Sequence, residues 1–599
     1  MSNIETIRIK ELNLDLLQPN IETMNNPEQG SQKILTIGKP GCFQAGTEVL
    51  LYNGEIKKVE DIIPGENVMG WDSTPRNVLE LCRNRDEMFK IQPIKGDSVV
   101  VNKNHILTLK CTSYNNSKKG EIIDITVADF LNKSKTFQER YKWFRTGVSF
   151  LEKSVDIDPY CLGIWLGDGT SATSEITNID PEVIEYINKY FETLGCVVTK
   201  KGSEPSITYR ISSHEGTKGK NIFLNFLRKY DLLNNKHIPL DYKANSRENR
   251  LFLLAGILDT DGYYDNSSNV FEISQKNQIL LDDIVYIARS LGFSAYKKEV
   301  NKICTNTGVE GTYYRCFISG EGIETIPTKI SRKRAITRTQ IKDSLVTGFT
   351  LTSVGIDNYY GFTLDGDHRF LLSDFSVVHN TGKSTLIGSL LYAKKHIFPC
   401  GVAFSGTEDS NHFYKTIFPS TFVFNTYDEA QIEKVIRRQK IAKEHLENPW
   451  AVMILDDCTD DPSLFRKPLQ QGLYKRGRHW KLWYILSLQY GMDIRPVIRT
   501  NIDGVFILRE PNLRNRKTMY ENYAGIIPDF KLFCDILDQI TDDYTALYIH
   551  NATRTNDWKD CVFWYKAKPA PKDFKFGCDT FWDHHFQRYN EEYVEPITV

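Results

Sequence analysis

Gly38-Lys39-Pro40-Gly41 and Thr381-Gly382-Lys383-Ser384-Thr385 are two halves of one motif, separated by the 339 residues 42–380. Neither half is a motif by itself. Joined, they read GKPGTGKST, which fits the phosphate-binding loop pattern G-x-x-x-x-G-K-[ST]. The apolar Ile34-Leu35-Thr36-Ile37 before it and the helix-like Leu386-Ile387-Gly388-Ser389-Leu390-Leu391 after it supply the strand-loop-helix context. The intervening segment begins with Cys42 and ends with His379-Asn380, just before the hydroxyl residue Thr381. A lone cysteine or a lone His-Asn pair is ordinarily structural. Both at the edges of a segment whose deletion restores a nucleotide-binding loop point to chemistry at those edges.

A chain of 599 residues is too long for one core and predicts several domains. With 75 basic and 76 acidic residues the net charge is −1, so a nucleic-acid surface would have to be a local patch. The 12 cysteines include no C-x-x-C pair, and Met1-Ser2-Asn3-Ile4-Glu5 is polar rather than leader-like, which predicts a reducing, cytoplasmic setting without structural zinc. The longest apolar runs, such as Leu251–Leu258, are too short to span a bilayer, so no membrane segment is expected.

From Cys42 onward the sequence changes to short alternating runs separated by turn residues, as in Thr47–Gly54 and Val99-Val100-Val101, and reads as all-β. CFQAGTEVLLYNGEIKKVEDI from Cys42, NKNH at 102–105, YYGFTLDGDHRFLL at 359–372 and SVVHN at 376–380 resemble the splicing blocks of inteins, especially the yeast vacuolar-ATPase type. The resemblance covers the whole insert. It implies that Cys42 is the first nucleophile and that His105 assists it. His379 and His368 would serve the cyclisation of Asn380, Thr381 would accept the acyl group, and no cofactor would be needed. The family usually has Thr where this chain has Asn102; an Asn can also hydrogen-bond a backbone amide.

Inside the insert, Leu162-Gly163-Ile164-Trp165-Leu166-Gly167-Asp168-Gly169 and Leu254-Ala255-Gly256-Ile257-Leu258-Asp259-Thr260-Asp261-Gly262 repeat one pattern. They resemble the LAGLIDADG motifs of homing endonucleases. Small and apolar residues allow two helices to pack closely, and the late Asp of each would end beside its counterpart. Two such carboxylates repel unless a divalent cation lies between them, so Asp168 and Asp261 are expected to share Mg²⁺ and act on double-stranded DNA. By the same resemblance Lys236, in Lys236-His237-Ile238-Pro239, is a candidate catalytic lysine, with Lys329, in Ile326-Pro327-Thr328-Lys329, as its counterpart. The basic run 329–338 is a candidate track for DNA phosphates.

After Thr381, strands and helical stretches alternate, which predicts an α/β domain with a largely parallel sheet. Val452-Met453-Ile454-Leu455-Asp456-Asp457 reads as the strand that ends in paired carboxylates: Asp456 for Mg²⁺ bound with Ser384, Asp457 for the attacking water. Together with Arg476-Gly477-Arg478-His479, the run Trp483–Tyr490 and the run Ile494–Asp503, the flanks resemble the genome-packaging ATPases of large nucleocytoplasmic DNA viruses, in the FtsK-HerA superfamily. That implies ATP on residues 38–41 and 381–385, Gln489 sensing the γ-phosphate, and Arg478 or Arg499 reaching a neighbouring protomer in a homo-oligomeric ring. It would place the protein in the cytoplasm, in a viral factory or virion.

The expected organisation is a multidomain chain. A P-loop ATPase (1–41 and 381–599) is interrupted by an all-β Hint splicing domain (42–154 and 339–380), which itself contains an α+β LAGLIDADG endonuclease (155–338). Two rival readings are a Hint autoprocessing protein that cleaves without ligation, against which the continuing sequence after Asn380-Thr381 speaks, and an intein-bearing cellular translocase or helicase.

Overall fold

Residues from both sides of 42–380 build a single nine-stranded sheet that takes no strand from between them. The computed structural model describes residues 8–590 except 39–40, 113–118, 203–206, 214–220, 304–309, 338–341, 366, 380–382, 407, 409–412, 459–461, 489–490, 493, 511–512, 542–544, 554, 556, 569 and 572. For residues 80, 84, 302, 303, 383, 384 and 462 it describes the backbone. Strand Lys33–Ile37, which leads into Gly38, lies parallel between Gly504–Ile507 and Leu482–Leu488. Beyond Leu482–Leu488 come Ala451–Asp456, Cys400–Ser405 and Val423–Phe424, all parallel. Every residue of Lys33–Ile37 and Leu482–Leu488 is buried, as expected for strands covered on both faces. The other edge departs from the expected pattern: Thr545–His550 and Val562–Lys566 run antiparallel, and Lys10–Glu11 closes the sheet.

The first and last parts of the insert form antiparallel sheets. The long strands Pro75–Pro93 and Phe349–Leu364 pair along most of their length, with register shifts near Gly355 and Leu364. Phe43–Gln44, Val99–Asn102 and Asn67–Met69 complete that sheet. Two short helices, Val127–Leu131 and Lys135–Arg140, break the all-β expectation; the hydroxyls of Thr126 and Ser134 cap their N-termini. The chain leaves a second sheet at Phe144 and returns at Val346, and these two residues are partners in register. Residues 145–345 can therefore fold as a unit of their own without parting the strands on either side.

Within that unit, helices Pro159–Asp168 and Arg247–Asp261 pack backbone to backbone. A Cβ on Gly163 would collide with Leu253 O, one on Gly256 with Tyr160 O, and one on Gly167 with the Thr260 hydroxyl. The small residues of the repeated pattern are thus a packing requirement. Gly163→Val is expected to destabilise this unit by about 3 kcal/mol or more, since backbone cannot move aside as a side-chain tip can. Urea unfolding of the full chain measures it, and an unchanged first transition would contradict the contact. Each helix is followed by an antiparallel sheet, three-stranded after the first and four-stranded after the second. Among the described residues all cysteines are free thiols, and no helix is long and apolar enough to cross a membrane.

Candidate active sites

At the first junction, Cys42 is buried and its backbone is gripped from both sides by Asn102. The Cys42 N–H donates to Asn102 Oδ1 at 2.9 Å, and the Asn102 N–H donates to Cys42 O at 3.0 Å. Asn102 Nδ2 in turn donates to Asp86 Oδ2 at 3.2 Å, which orients the carboxamide. The carboxamide thus holds the amide that would be cleaved. His105 lies against Gly41: a Cβ there would meet His105 Cα at 3.3 Å and Nδ1 at 3.5 Å. Its ring packs edge-on to Phe43, and neither ring nitrogen has a hydrogen-bond partner among the described residues. Burial pushes its pKa down to about 3, so the ring stands neutral, with one nitrogen open to accept and pass on a proton. Gly361 makes room for the thiol, because a Cβ there would lie 2.5 Å from Cys42 Sγ.

At the second junction, strand Val377–His379 pairs with Arg369–Leu371, and the rings of His368 and His379 are 5.6 Å apart. Burial holds His379 down at about 3; Asp124 opposes this, while His368, Arg509 and Arg369 reinforce it. Asp124 is not legible from the motif blocks. It accepts from Thr108 Oγ1 at 2.8 Å and Arg369 Nη2 at 2.7 Å, and Arg509 Nη2 lies 3.6 Å away. Burial alone would raise its pKa, but His379, Arg369 and Arg509 outweigh burial and hold it at about 2. Asn380 and Thr381 lie outside the described residues.

The repeated helices bring Asp168 and Asp261 to the same end of the unit. A Cβ on Gly167, next to Asp168, would lie 3.3 Å from Asp261 Oδ2. Burial pushes Asp168 up to about 6, and Asp261 pushes it the same way; Asp261 is raised by its own burial. Each carboxylate accepts from an amide at 2.6 Å, Asp168 from Asn178 Nδ2 and Asp261 from Gln275 Nε2. Lys236 Nζ donates to the carbonyls of Leu166, Gly167 and Gly169 at 2.7–3.2 Å, capping the end of the first helix. Burial lowers its pKa to about 8.

The expected counterpart of Lys236 needs correcting. Lys333, and not Lys329, donates to the end of the second helix, at Leu258, Asp259 and Thr260 O. Lys329 Nζ instead sits 4.2 Å from the Tyr186 ring centroid, and its N–H donates to Asp259. Within the run 329–338, Lys333 is buried and Arg332 is paired with both oxygens of Asp180, while Arg334 is exposed and residue 338 lies outside the described residues. Two carboxylates, Asp168 half-buried and Asp261 open to solvent, without a third His, Cys, Asp or Glu in range among the described residues suit Mg²⁺, which takes one or two carboxylates and keeps its remaining positions for water and phosphate oxygens.

In the nine-stranded sheet, the Gly38 N–H donates to Leu488 O at 3.1 Å, and helix Lys383–Lys394 begins on the far side of the insert. Thr385 is buried at the start of that helix. Gly41, the last residue of the glycine half, lies against His105 as described. Asp456 is buried at the end of its strand, opposite Ser487, and accepts from Tyr414 OH at 2.9 Å. Asp457 follows with φ +46° and donates its N–H to Ser487 O at 3.4 Å. The motif reading passes over Glu408, buried shortly after strand Cys400–Ser405, with burial raising its pKa to about 7 despite the N–H groups of Tyr414 and Lys415. Arg478 pairs with Asp503 of its own chain at 3.5 Å, and Arg499 donates to Ile494 O and to the Asn522 side chain. Both arginines are therefore engaged within the chain. Lys39, Pro40, Gly382 and Gln489 lie outside the described residues, as do the side chains of Lys383 and Ser384.

The Hom_end-associated Hint family matches residues 42–142, and the Homing endonuclease family matches residues 237–343. The "Uncharacterized protein 075L" of Invertebrate iridescent virus 6 is 55% identical over 216 residues, 36% of this chain and 84% of that protein. The "Uncharacterized protein L437" of Acanthamoeba polyphaga mimivirus is 32% identical over 252 residues, 39% of this chain and 87% of that protein. The "Homothallic switching endonuclease" of Saccharomyces cerevisiae is 26% identical over 263 residues, 39% of this chain and 45% of that protein. The coverage puts the iridescent virus protein at about 257 residues, close to the 260 that lie outside 42–380 here.

Proposed function

Since the chain belongs to the family of viral proteins that includes 075L of Invertebrate iridescent virus 6, and carries an intein with a LAGLIDADG endonuclease, we propose that it is the precursor of a viral DNA-packaging ATPase. On this reading excision at Gly41/Cys42 and Asn380/Thr381 unites the halves of the phosphate loop. The observation that carries it is the nine-stranded sheet, which closes from the two flanks alone, with the phosphate-loop strand in register between strands of the distal flank. On the same reading the endonuclease is nested within the splicing domain, and the pairing of Phe144 with Val346 supports this.

Splicing proceeds by four bond exchanges. Cys42 Sγ attacks the Gly41 carbonyl, its proton passing through the neutral His105 ring to the leaving nitrogen as the Gly41–Cys42 C–N bond breaks, and a thioester forms. Thr381 Oγ1 attacks that thioester, giving an ester and returning the thiol. The Asn380 side-chain nitrogen then attacks its own main-chain carbonyl, and the Asn380–Thr381 bond breaks with a proton delivered through His379 and His368. The freed amine of Thr381 attacks the ester to leave a peptide bond. Neither metal nor nucleotide enters.

For the endonuclease, Mg²⁺ held by Asp168 and Asp261 would supply charge neutralisation at the scissile phosphate and a more acidic water. Lys236 and Lys333 hold the ends of the two helices, and Asn178 and Gln275 aim the carboxylates. The target would be double-stranded DNA of the uninterrupted gene around the phosphate-loop codons, a site that insertion destroys. Asp168→Asn or Asp261→Asn is expected to lower cleavage of a plasmid carrying the joined sequence by about a thousandfold or more, while splicing continues, because the two chemistries share no residue. An intact plasmid with the wild-type insert and Mg²⁺ would defeat the assignment.

In the joined protein, ATP would lie on 38–41 and 381–385, with Asp456 and Ser384 for Mg²⁺ and Asp457 and Gln489 about the γ-phosphate. Protomers would assemble as a ring on DNA, Arg478 or Arg499 exchanging its partner in its own chain for a neighbour's nucleotide. The viral relatives favour this host over a cellular translocase. DNA-stimulated ATP hydrolysis by the joined protein tests it, and absence of stimulation would contradict it.

A further inference from the structure

The host part of the chain reaches into the second splicing centre. Strand Gly504–Ile507 runs beside Lys33–Ile37, and the Leu508 N–H donates to Ile37 O at 3.0 Å. The next residue, Arg509, therefore emerges beside Gly38, at the mouth of the insert. Its guanidinium lies 3.6 Å from Asp124 Oδ2, inside the insert. The Asp124 side chain is almost fully buried, whereas that of Arg509 is 31% exposed. A buried carboxylate exerts its field strongly because little water screens it. Asp124 already has an arginine of the insert, Arg369, on the same oxygen at 2.7 Å. A second cation supplied by the host is not needed to satisfy the carboxylate's charge.

We propose that Arg509 is a positioning residue for splicing: through Asp124, and through Arg369, which donates to Asp124 and stands opposite His379 in the strand pairing, it sets the position and protonation of His379, so that Asn380 cyclises efficiently when the host sheet has formed around the insert. The inference rests on the splicing reading. Its functional sense is order of events. Arg509 reaches this place when Gly504–Ile507 has paired with Lys33–Ile37, so excision would follow folding of the flanks and the ligated chain would be released already folded. The charged and titratable groups around His379 are Asp124, which favours its protonation, and His368, Arg509 and Arg369, which oppose it. Removing Arg509 takes away one opposing cation, so the ring would accept a proton at a higher pH than before. A reaction needing the neutral ring would then shift its half-maximal pH upward.

The test uses the full chain with Cys42→Ala, in which cleavage at Asn380/Thr381 is read alone as release of 381–599 across pH. A parallel Asn380→Ala chain reads thiol-induced cleavage at Gly41/Cys42. Arg509→Ala is expected to slow the Asn380 step about tenfold, the loss of one charge-assisted contact where Arg369 remains, and to move its pH midpoint upward. The thiol-induced step should be unaltered, and Arg509→Lys should restore most of the rate and the midpoint. An Asn380 step indifferent to Arg509→Ala overturns the inference. So does equal slowing of both steps without rescue by lysine, which marks a general structural role. Failure of the parent chains to cleave at either junction would overturn the splicing reading itself, and is distinguished by having no baseline to compare.

Discussion

A splicing-dead chain carrying Cys42→Ala and Asn380→Ala is expected to hydrolyse ATP at least about a hundredfold more slowly than the joined 260-residue protein, because misplacement by an ångström in a catalytic site costs that much. A phosphate loop works by aiming consecutive backbone N–H groups at the phosphates while its lysine and hydroxyl follow in the same turn. In the precursor the two ends of that loop serve different structures. Gly38 stays with the host sheet through Leu488 O, but Gly41 is buried against His105. The glycine half is thereby held by the splicing centre. Helix Lys383–Lys394 keeps its N-terminus, and Asp456 keeps its place at the strand end, so weak nucleotide binding would persist without efficient turnover. Lys383→Ala in the joined protein gives the blank. Equal turnover by precursor and joined protein would show that the interruption is tolerated.

The same double substitution is expected to abolish splicing outright and leave only the 69.1 kDa chain, since it removes the first nucleophile and the cyclising side chain together. Each single change should leave one half of the chemistry. Asn380→Ala retains the thioester, which added thiol cleaves after Gly41. Cys42→Ala retains release of the distal flank. Asn102→Ala should slow the first step without abolishing it, as the Cys42 N–H loses its acceptor at 2.9 Å while the thiol remains. Gel separation of the products over time distinguishes these patterns, and joined product from the double variant would defeat the assignment of Cys42 and Asn380.

The parts of this protein that could be read from the sequence are those whose chemistry requires residues at fixed short spacing. The strand and helix on either side of the loop halves, Lys33–Ile37 and Lys383–Lys394, the repeated helices ending in Asp168 and Asp261, and the strand ending in Asp456 are of this kind. What escaped depends on pairing between distant segments. Asp124 reaches Arg369, the register partner of His379, across 245 residues of chain. Asn178, just past strand Glu175–Thr177, and Gln275, at the end of strand Val270–Gln275, stand beside the two aspartates, and lone amides at strand ends carry no motif. The exchange of Lys329 for Lys333 has a local cause: a 3-10 turn at Ser331–Lys333 carries the chain onward, so the lysine one turn further reaches the carbonyls at the helix end. The antiparallel edge of the nine-stranded sheet was equally hidden, as Thr545–His550 and Val562–Lys566 have the apolar character of the parallel strands.

Departure of residues 42–380 and joining of their flanks is read from the intact masses of the products formed by the wild-type chain. A 339-residue insert and a 260-residue protein in which Gly41 is bonded to Thr381 are expected, formed equally well with and without a metal chelator. A persistent 69.1 kDa chain, or the insert released with two separate flanks, would contradict excision with joining.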